Sequence, residues 1–362
     1  MKKYIPRFAS ISFLVFAFSY LIFRACLFSP ELADTVNGTV SQGVRYVLAM
    51  LSHYVPFSFF ELLVILSPVI LILLIIFFVK RGTDRAGRVR SIVSLLAIVS
   101  LIFTSYLYTL AIGYHTTPIS EKTGIEDSSD ITADQLYDTV NIVVDEINLL
   151  LENIALTDGE TRMPYSVNEL SERLVSAYDV FLEDYPIFTN YPSRVKPVYF
   201  STVMSDFRIS GIYTFFTGEA NVNVEYPDYC LPFVAAHEMA HQRGISRENE
   251  ANFVAFLVAI GSDDEYIRYS GYLNVYEYLA SALYRADSEL YYDARARLGE
   301  TALADIRAAN AVYNEHKDSI LGKINERLND AYLKANGTDG VVSYNYVVRL
   351  TVGYYEKLNN EQ

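Results

Sequence analysis

Three apolar runs, each about the length of a membrane span, fall within the first 114 of 362 residues, and nothing else in the chain restricts its fold as much. They cover about 8–28, 57–79 and 92–113, each close to the ~20 residues a helix needs to cross a ~30 Å hydrocarbon core. A buried helix in a soluble core would explain any one run; three in succession point to a bilayer. The first run follows Lys2, Lys3 and Arg7 and lacks a small-x-small cleavage site, so it reads as an uncleaved membrane helix. Ser67-Pro68 marks a kink site in the second.

Basic residues set the expected orientation. Lys80, Arg81, Arg85, Arg88 and Arg90 lie between the second and third runs, whereas residues 29–56 hold only Arg45. Both basic segments belong in the cytoplasm, which puts residues 115–362 outside. Residues 41–54 read as a short interfacial helix. Composition divides at the same place: residues 1–114 carry ten Lys/Arg and four Asp/Glu, while the remainder carries 19 and 39. The acidic half argues against a nucleic-acid partner and leaves the bilayer as the expected one. The domains expected are a transmembrane region, 1–114, and an extracytoplasmic domain, 115–362.

Inside that second half stands His237-Glu238-Met239-Ala240-His241. Two histidines four apart on a helix project from one face, where both imidazoles can reach one Zn²⁺. Glu238 is placed to take a proton from an attacking water. Pro232 suits the first turn of this helix and Gly244 its end. A histidine pair can also be ordinary packing, so the following residues matter. A catalytic zinc usually takes a third protein ligand. Ser246 is the expected N-cap of a second helix, on which Glu248, Ala251, Asn252, Ala255 and Ala259 share a face of mostly small residues. That face can approach another helix and deliver Glu248 as third ligand, with Asn252 bonded to a ligand histidine. Glu250, on the face of Phe253, Val254 and Leu257, is the competing choice.

Glu248-x-x-Ala251-Asn252 after such a helix resembles the gluzincin metallopeptidases. Gly211-Ile-Tyr, Thr217-Gly-Glu-Ala-Asn-Val-Asn223, the segment 232–244, Glu248-Asn-Glu-Ala-Asn-Phe253 and Tyr269-Ser-Gly-Tyr272 resemble the domain-of-unknown-function 3810 family of bacterial membrane proteins, over nearly the whole chain. The resemblance implies a membrane-anchored zinc peptidase and supplies no substrate. A metzincin would need a histidine at position 247, which is Arg247.

The rest of the external domain is expected to be mostly helical. Residues 132–156 repeat apolar positions with helical period, and Ser166-x-x-Glu169 and Ser262-x-x-Glu265 read as capping boxes. A last helix is expected over 343–359. Strands are expected only between Pro186 and Pro232; by analogy with zinc peptidases 217–225 would be an edge strand that pairs with extended substrate, and an ordinary half-buried strand explains it equally. Arg268, Tyr269 and Tyr213 are candidates for stabilising an oxyanion, although a solvated arginine or a packed tyrosine is the better explanation of each. Cys26 and Cys230 are expected to be free thiols.

The fold expected is therefore membrane-anchored and mainly α: three transmembrane helices, then a mostly helical, zincin-like extracytoplasmic domain with a small β element before the active helix. The function expected is a multi-pass cell-membrane zinc metallohydrolase, a metallopeptidase, with His237, His241 and Glu248 on Zn²⁺ and Glu238 as base. Its substrate would be a peptide or another amide or ester bond of the envelope. The alternative is a non-catalytic membrane protein with a structural zinc site or an envelope-binding role.

Overall fold

The computed structural model describes residues 5–81, 84–128, 130–338 and 346–361. It is mostly helical with two small sheets. Three helices are long and apolar enough to cross a membrane: α1 (Arg7–Cys26), α4 (Phe59–Arg81) and α5 (Arg85–Thr109), the last running on through a 3-10 turn, Ala111–His115. Pro68 lies inside α4. Asp84 caps α5 by accepting from the Gly87 N–H, so Arg85, Arg88 and Arg90 stand on the first turns of the helix and not in a loop. Between α1 and α4 come α2 (Pro30–Val36), one π-helical turn and α3 (Gln42–His53). The last occupies nearly the whole segment expected to be helical, and its Arg45, Ala49 and Ser52 are buried.

After α5 the chain forms α6 (Ile119–Thr123), α7 (Ala133–Leu151), the hairpin β1 (Leu156–Thr157) and β2 (Glu160–Thr161), and α8 (Val167–Asp184). The Ser166/Glu169 capping box forms as expected. The β1–β2 hairpin lies outside the region where strands were expected; Asp158 and Gly159 both take positive φ there, the signature of a tight Asp-Gly turn. Next come β3 (Val195–Val198), α9 (Ser201–Asp206), β4 (Gly211–Thr214), β5 (Glu219–Asn223), α10 (Cys230–Arg243) and α11 (Glu248–Ile260). The chain ends in α12 (Glu265–Ala286), α13 (Ser288–Arg297), α14 (Glu300–His316), α15 (Ile320–Ala335) and α16 (Tyr346–Glu361). Residues 343–345 of the expected last helix lie outside the described residues. The expected 262–265 capping box does not form. Asp264, which Tyr165 and Arg173 also hold, caps α12 through the Ile267 N–H.

One core joins α7, α8, α10, α11, α12 and α16. Val140, Val143, Val144 and Ile147 of α7 are buried with Leu273, Tyr276 and Leu279 of α12. Cys26 and Cys230 are both free and buried.

The three-stranded sheet corrects one expectation. Its order is β3-β5-β4, with β5 parallel to β3 and antiparallel to β4. Residues 219–223 thus form the central strand, buried at every position. Polar and apolar residues alternate there because the polar face receives helix ends, not water. The Glu219 carboxylate accepts from the Phe59 and Phe60 N–H groups at 2.9 and 3.0 Å, at the N-terminus of α4. The Ser58 hydroxyl donates to Asn221 Oδ1 at 2.6 Å. On the neighbouring strand Lys196 Nζ donates to the Ser52 carbonyl in the last turn of α3 and to the Val55 carbonyl just beyond it. An anion meets one helix start and a cation another helix end, as the helix dipole favours.

Candidate metal centre

Glycine ends α10. Gly244 adopts φ 102°, and a Cβ there would collide with the guanidinium of Arg45. That guanidinium, buried at 1% exposure, donates to the Tyr108 carbonyl and to both oxygens of Asn37, and Asn37 in turn donates to the Gly244 carbonyl. The turn into α11 is tied to the end of the third apolar helix as well. The Ser246 hydroxyl donates to the Leu110 carbonyl at 2.8 Å, and Arg247 donates to the carbonyls of Tyr114 and Thr116. Ser246 is therefore no N-cap: α11 begins at Glu248 without a side-chain cap, because the hydroxyl is engaged by the apolar helix.

These ties bring His237, His241 and Glu248 together as a cluster with metal-ligand spacing. The two Nε2 atoms are 3.0 Å apart; Glu248 Oε2 is 3.4 Å from His237 Nε2, and Oε1 is 3.5 Å from His241 Nε2. Glu250 points elsewhere. Its Oε1 accepts from the Ile119 N–H and from Arg247, so it fastens α6 to the start of α11. His241 Nδ1 pairs with the Ile245 carbonyl at 2.7 Å, which leaves Nε2 for the cluster. The expected bond from Asn252 to a ligand histidine does not form; Asn252 Nδ2 and His237 Nδ1 are both buried without partners.

Burial works against charge on His241, Glu248 and Glu238, and their mutual attraction decides the balance. Desolvation lowers His241, but the Glu248 carboxylate outweighs it and brings the imidazole up to about 9. Despite burial, Glu248 is held well below the usual carboxylate range by the two histidines. For Glu238 burial wins and raises the pKa, against the pull of His237 and His241. Gly211 of β4 lies directly over this carboxylate: a Cβ there would be 2.6 Å from Glu238 Oε1.

The cluster opens on a cavity of about 700 Å³. Tyr106, Leu110 and Tyr114 wall it from α5 and the turn that follows, Gly211 and Tyr213 from β4, Glu277 and Tyr278 from α12, and Asn325, Asn329 and Tyr332 from α15. Of the three oxyanion candidates only Tyr213 lines it. Its hydroxyl is buried without a partner. Tyr269 is fully buried elsewhere and donates to Asp305 at 2.7 Å. Arg268 lies on a separate cavity of about 720 Å³, next to Glu265. Tyr114, Tyr278 and Tyr332 are among the lining tyrosines that sequence reading missed. Burial, with Glu248 adding to it, raises Tyr332 and brings Tyr278 to about 12, so both keep their protons. The spacing of Tyr106, Leu110 and Tyr114 along one helical face could have signalled this wall.

No curated protein and no solved structure matches the chain. Residues 37–352 match a family described as proteins of unknown function. The chain belongs to the domain-of-unknown-function 3810 family.

Proposed function

We propose that the protein is a membrane-anchored zinc metallohydrolase, a peptidase of gluzincin type, acting on the outer face of the cytoplasmic membrane. The observation that carries this reading is the pairing of a three-ligand cluster with a buried carboxylate that stands beside it, on the wall of an open cavity. Two atoms bound tetrahedrally at 2.0–2.1 Å lie about 3.3 Å apart, and the cluster's separations of 3.0, 3.4 and 3.5 Å bracket that value. Two imidazoles, which bind a metal once deprotonated, and one carboxylate are also the donor set that suits zinc. A structural clamp would have no use for Glu238 or for the cavity.

Bound there, zinc would polarise the scissile carbonyl and ease deprotonation of the attacking water. Glu238 takes that proton as the C–O bond forms and then delivers it to the leaving amine, whose C–N bond breaks as the carbonyl re-forms. Its raised affinity for a proton suits the task. Tyr332 and Tyr278, both protonated, line the same cavity and are the candidate donors to a developing oxyanion. With β5 in the centre of the sheet, β4 takes over the expected role of the substrate-pairing edge.

Glu238→Gln in the full chain tests the reading. Bound zinc and melting temperature are expected to stay at wild-type values, while cleavage of peptide or envelope substrates falls by ~10²–10⁴-fold. An unchanged rate would remove Glu238 from the mechanism. The outer location has its own check: a cytoplasmic-active reporter should work after Arg88 and fail after Thr116, and the reverse pattern would refute it.

A further inference from the structure

Helix α15 has a face that the fold leaves bare. Ile320, Leu321, Ile324 and Leu328 are 74%, 40%, 47% and 64% exposed, and three of them recur every fourth residue. At about 100° per residue, this stripe runs beside the face that carries Asn325, Asn329 and Tyr332 into the cavity. Its other border carries Lys323, Arg327 and Lys334, all exposed, with Lys334 paired to Asp330 and Lys323 beside Asp318. A helix with an apolar stripe bordered by Lys and Arg is built for the interface of an anionic bilayer.

The position of α15 agrees. Just beyond its C-terminal end, Asn336 Oδ1 accepts from the Tyr106 hydroxyl of α5 at 2.8 Å, and the Tyr106 and Tyr332 rings are 6.4 Å apart. From Arg90, the last basic residue before the apolar stretch, Tyr106 is sixteen residues along. That is about 24 Å of helix, short of the ~30 Å hydrocarbon core. With Arg90 at the inner edge of the core, the α15 anchor thus lies about 6 Å short of the outer edge, within the outer leaflet. A second bare apolar group continues at that level: Tyr199, Phe200 and Val203 are 86%, 50% and 48% exposed, and the Phe200 N–H donates to Glu61 in the first turn of α4.

We propose that α15 is a membrane-surface helix, its Ile320-Ile324-Leu328 stripe lying in outer-leaflet lipid, so that the cavity it walls lies at the lipid–water boundary. This rests on the apolar helices spanning the bilayer as proposed above.

The chain has no tryptophan, so one introduced residue reports on its own surroundings. Ile324→Trp, Leu328→Trp, Ile98→Trp and Tyr292→Trp are each made in the full chain and reconstituted into vesicles containing anionic lipid. Ile98 is an exposed residue of α5 and Tyr292 an exposed residue of α13. Lipids brominated near the headgroup should quench the Ile324→Trp and Leu328→Trp proteins at least twofold, with blue-shifted emission. Lipids brominated near the chain end should quench the Ile98→Trp protein more strongly, and neither lipid should affect Tyr292→Trp. Water-like, unquenched emission at 324 and 328 alongside quenching at 98 would overturn the proposal while leaving the spans intact. Blue-shifted but unquenched emission would mean that protein covers the stripe, and would overturn it too. Absence of quenching at 98 would refute the spanning helices themselves.

Discussion

Two sets of buried charge lie on either side of α10, and they are used differently. Glu219 and Lys196, both at 0% exposure, spend their hydrogen bonds on backbone: the carboxylate takes two N–H groups of α4, and the ammonium two carbonyls at the C-terminal end of α3. Around Glu248 the side chains have chiefly one another, with lone pairs converging on the edge of a cavity. Charge that completes helix ends is architecture. Charge left facing its own kind and an open space is poised for a ligand. Desolvation presses on both sets, so burial alone does not distinguish them; the identity of the partner does.

The contrast breaks most sharply on metal content. Glu248→Ala should weaken zinc binding by more than ~10²-fold, since it removes a direct ligand, whereas Glu219→Ala should bind zinc as wild type at temperatures where it is folded. Equal zinc loss in both, measured on purified full-length protein, would erase the distinction. The next effect is on stability. Glu219→Ala strands two N–H groups at the start of α4 and should cost on the order of 3 kcal/mol, read as a lowered melting temperature. A melting temperature equal to wild type would show that the cap is dispensable. The smallest effect is a pH slope. Burial lowers Lys196 from 10.5 to about 8. Between those values the unfolded chain holds a proton that the folded one has released, so this residue makes stability rise with pH across that window. Lys196→Met should flatten the rise, and an identical slope in the variant would assign the titration elsewhere.

His237, His241 and Glu248 were legible because helical spacing is local: four residues make one turn, and a small-residue face announces a close approach. Ser246 and Asn252 were misread for the opposite reason, and Arg268 and Tyr269 keep the ordinary roles weighed beside the oxyanion reading. Ser246 is claimed by a carbonyl 136 residues earlier, and Tyr269 by Asp305 from another helix; nothing near either position in the chain announces these partners. The strand at 219–223 shows how a correct pattern can yield a wrong placement. Alternation of Glu, Ala, Asn, Val and Asn identifies a strand with two unlike faces, but helix ends can satisfy a polar face as well as water can. The three apolar helices were legible from length alone. That one of them also walls the cavity depends on side chains brought in from α12 and α15.

The wall contributed by α15 has a consequence for the order in which the molecule is made. His237, His241 and Glu248 leave the ribosome well before Asn325, Asn329 and Tyr332, and Tyr106, Leu110 and Tyr114 precede them all. Chains generally fold from the N-terminus as they are synthesised. The ligand cluster can therefore gather on the third apolar helix while its far wall is still unmade, and the cavity acquires its full shape only when about nine-tenths of the chain has been translated.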